Sequence, residues 1–138
     1  MTATVEQARD QMFGLIKDAW PVGTTLIYDG FKGEKPEAQV TWGRVSVRHF
    51  GGGQATISRL NSMSRYERRG TLYVNLFAPP GDGLRALDPL TKTVLDAIEG
   101  KTTAGGVWFT QVRVRELGIV EGWEQVNVLA NFSYDEVK

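Results

Sequence analysis

Cysteine does not occur in the 138 residues of this sequence, so neither a disulfide framework nor a thiolate metal site is possible, and a reducing compartment is compatible with the chain. Histidine occurs once, as His49. A lone histidine leaves no His/Cys/Asp cluster with metal-ligand spacing and deprives a nucleophilic triad of its usual base. No serine stands in a Gly-x-Ser-x-Gly elbow, and His49 itself reads as a strand-end residue rather than a catalytic one. No apolar run approaches the roughly 18 residues of a membrane span, and the opening MTATVEQARD has neither the basic nor the apolar region of a signal peptide. The expectation is a soluble chain made in the cytoplasm, with no membrane contact. Net charge is missing too: 16 acidic side chains balance 16 basic ones, which argues against a surface built wholly for nucleic acid.

What remains is enough for one core. A chain of this length with 41% hydrophobic residues supports a single domain, 1–138, and is too short for two. Val5, Ala8, Met12, Leu15, Ile16 and Ala19 recur at helical spacing between Thr4, a suitable N-cap, and Trp20-Pro21, which predicts a helix over 4–20. TTLIYDG reads as a short strand. From Gln39 the period becomes two, but Val40 and Trp42 have the opposite parity to Val45 and Val47, which predicts a β-bulge near Gly43-Arg44. In the strand 71–77, Leu72, Val74 and Leu76 share one face, with Tyr73 and Phe77 on the other; apolar groups on both sides mark it as central or covered by a neighbouring subunit. Asp88-Pro89 reads as an N-cap followed by proline at the first helical position, opening a second helix that stops at Gly100. Two final strands alternate, with Trp108, Thr110, Val112 and Val114 sharing a face on the first and Val126, Val128, Ala130, Phe132 and Tyr134 on the second. The order α-β-β-β-α-β-β predicts an α+β fold: a mainly antiparallel β-sheet with two α-helices packed on one face.

One segment fits no element. RHFGGGQATISRLNSMSRYERRG predicts a long loop, 50–67, with three glycines, and residues 44–69 around it hold a local excess of arginine: Arg44, Arg48, Arg59, Arg65, Arg68 and Arg69 oppose only Glu67. Its glycines fail the phosphate-loop test, because the fifth and sixth positions after Gly51 are Thr56 and Ile57 rather than Gly-Lys; a mobile glycine hinge is the plainer reading. Residues 116–138 are acidic in turn, so the subunit reads as electrically two-ended and able to attract copies of itself. Arginine without lysine is the preference of protein interfaces, and a long aperiodic loop is ordinarily functional. A protein-docking arm is therefore favoured, built from Arg48, Arg59, Arg65, Arg68 and Arg69 with Ile57, Leu60 and Met63, which recur three apart. The alternative is a basic-loop nucleic-acid-binding module. No cofactor is expected.

The segments DAWP, LIYDG, RRGTLYVNLFAPPGDG and GWEQVNVLANFSYDE, set around the arginine-bearing loop, resemble the tail terminator proteins of long-tailed phages, the lambda-type family, over nearly the whole chain. That resemblance implies a structural virion protein without enzymatic activity. It implies a six-membered ring of identical subunits that caps the tail tube, halts its polymerisation and meets the head-completion proteins of the neck. DNA would pass through the ring without sequence-specific binding. The implied location is the tail-neck junction of the virion, and the host cytoplasm during assembly.

Overall fold

The computed structural model describes residues 2–29, 36, 39–54, 64–81 and 83–138. Helix α1 spans Val5–Ala19, followed by strands β1 (Thr25–Tyr28), β2 (Trp42–Gln54) and β3 (Arg65–Ala78), then helix α2 (Asp88–Ile98) and strands β4 (Trp108–Val120) and β5 (Trp123–Val137). The strands make one sheet in the order β1-β2-β3-β5-β4. The pairs β2–β3, β3–β5 and β4–β5 are antiparallel and only the short β1 runs parallel to β2. The fold is α+β, with β3 central as its two-faced apolar pattern requires.

Thr4 caps α1 in a reciprocal box: its Oγ1 accepts from the Gln7 N–H, and the Gln7 side chain accepts from the Thr4 N–H. Ala8, Met12, Phe13 and Ile16 on α1 and Leu90, Val94 and Ile98 on α2 are buried against Val45, Val47, Leu72, Val74, Leu76, Val126, Val128, Ala130, Phe132 and Tyr134. Both helices thus cover one face. At the start of α2, Asp88 is the first helical residue rather than its cap; Leu87 holds the cap position and makes no side-chain cap bond.

Two face assignments differ from the sequence reading. No bulge occurs at Gly43-Arg44: the β2–β3 register runs unbroken from Trp42↔Phe77 to His49↔Gly70 and shifts only between His49 and Gly51. Trp42 therefore stays on the helix-free face, where Phe77 stacks on it at 4.1 Å between ring centroids and Trp123 meets it edge-on at 5.9 Å. The glycine at 43 instead makes room for Trp20, whose ring would lie 2.3 Å from a Cβ there. In β4 a register shift between Thr110 and Arg113 reverses the parity. Trp108 accordingly pairs with Ser133 on the helix-free side, while Phe109 pairs with Phe132 and packs on the core.

Candidate functional site

The two ends of the expected loop 50–67 are sheet, and residues 55–63 between them lie outside the described residues. β2 continues to Gln54 and β3 begins at Arg65, so Gly51, Gly52 and Gly53 are paired with Arg69, Arg68 and Glu67. The reason is close approach rather than hinge freedom. At Gly52, with φ +129°, a Cβ would lie 2.0 Å from the Glu67 carbonyl oxygen, so only glycine lets the two strands meet. β5 extends beside this end as far as Val137↔Arg65, and Ser64 and Lys138 exchange two further backbone bonds of 2.8 and 3.0 Å.

This pairing corrects the two-ended charge reading for the last residues of the chain, while Glu116, Glu121 and Glu124 stay at the opposite end of the strands. Asp135 and Glu136 of the acidic stretch lie on β5 beside Arg65 and Arg68 of β3 and are paired with them. Arg68 donates from Nε and Nη2 to Glu136 Oε1 at 3.2 and 3.1 Å, with both side chains more than three-quarters buried. Arg65 reaches Asp135 at 3.8 Å, Arg69 reaches Glu67 at 3.3 Å, and Arg48 pairs with Asp29, which also accepts from Ser46 Oγ at 3.1 Å. Arg59, Ile57, Leu60 and Met63 lie outside the described residues. The energetic weight falls on the one shielded pair: Arg68→Ala is expected to lower stability by about 2 kcal/mol, because it strands Glu136. Arg65→Ala, on a pair open to water, should cost no more than about 0.5 kcal/mol; urea unfolding of the two variants measures the contrast.

His49 closes the same end of the core. Its Nε2 lies 2.6 Å from the Tyr134 hydroxyl, its ring meets Phe132 and Tyr134 edge-on, and its Nδ1 is buried without a partner. Burial holds the imidazole below its ordinary pKa, with Arg9 on α1 and Arg68 on β3 adding to the effect; burial also pushes the Tyr134 hydroxyl up to about 12. The folded chain therefore prefers neutral His49, and the unfolded chain takes the proton first on acidification. The stability from this preference is whole above pH 6.5 and is lost as pH falls from there through the folded value. His49→Gln should flatten the dependence of the urea midpoint on pH between 7 and 5.5; an unchanged slope would assign it to other groups.

The outer edge of the sheet is a second exposed feature. β4 spans 13 residues, yet shifts register twice, between Thr110 and Arg113 and between Glu116 and Gly118. Such shifts, with arginines on the strand, oppose open-ended strand addition, so a neighbour would meet β4 through side chains. Val114, Leu117, Ile119 and Val120 are exposed there, Ile119 by 62%.

The helix-free face holds a cleft of about 430 Å³ lined by Trp42, Arg44, Asn75, Phe77, Val120, Glu121, Trp123, Gln125 and Asn127. Sequence reasoning missed it, although Trp42, Phe77 and Trp123 share the parity opposite to the core residues of their strands. Among the described residues no group of three or more His, Asp or Glu side chains could hold a metal, and no helix is long and apolar enough to cross a membrane.

No protein-family model and no curated protein matches this sequence. Solved structures do match, 24 chains in all, and one of them, 17% identical, covers 91% of this chain and 94% of its own length with a TM-score of 0.64. At that identity the likeness shows the fold alone.

Proposed function

We propose that this chain is a structural virion protein, the tail terminator of a long-tailed phage. Six copies form a ring that caps the tail tube, stops its polymerisation and joins the tail to the head-completion protein of the neck. The observation that carries this reading is the β4 edge, long, resistant to open-ended strand pairing and exposing Val114, Leu117, Ile119 and Val120. The opposite edge is the four-residue β1. A subunit with two unlike edges makes heterologous contacts, which close into a ring when the rotation between copies divides a full turn. The resemblance of LIYDG, RRGTLYVNLFAPPGDG and GWEQVNVLANFSYDE to the terminator family supplies the number six and the partners.

Within this reading the arginines divide by exposure. Arg48, Arg65 and Arg69 have side chains more than half exposed and serve docking, while Arg68 fastens the tail of its own chain. The neighbouring carboxylates Asp29, Glu67, Asp135 and Glu136 count against the nucleic-acid module, because they would repel a phosphate brought to these arginines. The protein works without catalysis or cofactor, and DNA passes through its channel with no sequence-specific contact. Size exclusion with light scattering should give a hexamer, or a monomer that becomes a ring on tail tubes, and electron microscopy of a mixture with tail-tube subunits should show capped tubes of limited length. Tubes that grow unchecked in its presence, or steep salt-dependent binding of the monomer to duplex DNA, would defeat the proposal.

A further inference from the structure

The helix-free face carries polar side chains that the core beneath the two helices does not use. Arg44, Asn75, Asn127 and Arg115 are successive cross-strand partners over β2, β3, β5 and β4, a row with a cation at each end and two carboxamides between. With neighbouring strands about 4.8 Å apart, the two outer Cα atoms stand roughly 14 Å apart. Arg113, opposite Leu129 on the same face, is a third cation. Arg44 lies over the rings of Trp42 and Phe77 at 5.6 and 5.8 Å, and among the described residues none of these three arginines is in an ion pair. Among the described residues Glu121, on the turn between β4 and β5, is the one carboxylate lining the cleft, against the three unpaired arginines.

Two polar atoms in the cleft lining are buried without partners: the indole Nε1 of Trp42 and the carboxamide Oδ1 of Asn75. One is a donor and the other an acceptor, which together complement a peptide unit. Native structures seldom leave buried groups in that condition unless something else satisfies them.

We propose that this face seats an extended acidic segment of another protein. One carboxylate rests on Arg44 and a second, four residues further on, rests on Arg115; peptide groups between them pair with the Asn127 carboxamide and, as the cleft wall shifts to uncover them, with the buried Trp42 indole and Asn75 carboxamide. An extended chain advances about 3.4 Å per residue and alternates its side chains, so positions four apart point the same way at roughly 14 Å, the spacing of the two arginines. Nucleic acid fits less well. A phosphodiester offers no donor to Asn75 Oδ1, and Trp42 and Phe77, only 2% and 8% exposed and stacked on each other, present no free face to a base.

The test is titration of ¹⁵N-labelled protein with the acetylated, amidated peptide GSESGSESG, following the Trp42 indole resonance, which is assigned by its loss in Trp42→Phe. The peptide should move that resonance and bind about tenfold more weakly to Arg44→Gln and to Arg115→Gln, while the glutamine peptide GSQSGSQSG leaves it in place. Arg115 is exposed, so its variant tests the seat even if Arg44→Gln disturbs the fold. Equal binding of the glutamine peptide, or a response to oligothymidylate in place of the acidic peptide, would overturn the proposal. So would a resonance that moves with protein concentration alone, because a second copy would then fill the cleft. The peptide results do not bear on ring formation, which light scattering tests separately, and the concentration series is run on Ile119→Asp, whose β4 contact is broken, so that it reports the cleft and not the ring.

Discussion

Alanine at position 70 is expected to destabilise the protein by about 3 kcal/mol or more. Gly70 lies in the central strand between His49 on β2 and Phe132 on β5. A Cβ there would stand 2.1 Å from the Arg48 carbonyl oxygen on one side and 2.4 Å from the Phe132 ring on the other. Neither neighbour can yield cheaply. The carbonyl belongs to the ladder, and Phe132 is 1% exposed with His49 and Tyr134 packed against it. Gly53→Ala is the matched control, since a Cβ at that position meets nothing within 4 Å and the change should stay within about 0.5 kcal/mol. Urea unfolding with an unchanged m-value reads both. A loss below about 1 kcal/mol for the Gly70 variant would show that these strands separate more easily than their packing implies.

The largest effect on the proposed function should come from Ile119→Asp. Ile119 is 62% exposed in the single chain, so the monomer should keep its stability within about 0.5 kcal/mol. In a ring whose subunits meet along β4, the same change buries a carboxylate without a partner at each contact, which costs several kcal/mol per site. Light scattering should therefore show the particle falling from six subunits to one at equal concentration, and tails assembled with the variant should lose their defined length in electron micrographs. A variant that still forms hexamers and ends tails correctly would remove the β4 edge from the interface.

The errors of the sequence reading have specific physical sources. In β2 the opposed parities of Trp42 and Val45 fit either a bulged strand with one apolar face or a straight strand with two. Phe77 and Trp123 decide for the second by covering Trp42 from β3 and β5. In β4 a single register shift at Gln111, a non-glycine residue with φ +51°, is enough to exchange the faces of Trp108 and Phe109. The end of the sheet beyond His49 escaped recognition because it contains glycine and arginine instead of alternating apolar residues. It is held by backbone pairing and by the Arg68–Glu136 contact, and neither leaves a periodic signal. The cleft was hidden for a related cause, since Trp42, Arg44, Asn75 and Trp123 are drawn from three strands.

The succession of two helices and five strands, the Thr4 cap and the alternation from Val126 to Tyr134 were all decided by the sequence by itself. In each, the informative residues lie within one turn of helix or along one strand, where spacing carries the information. Which face Trp42 and Trp108 occupy, and whether the arginines are free or matched, was decided only by the tertiary structure. Those outcomes depend on what stands across the sheet: Phe77 and Trp123 over Trp42, and the acidic end of β5 beside the arginines of β3. Such neighbours are distant along the chain, so local periodicity holds no trace of them.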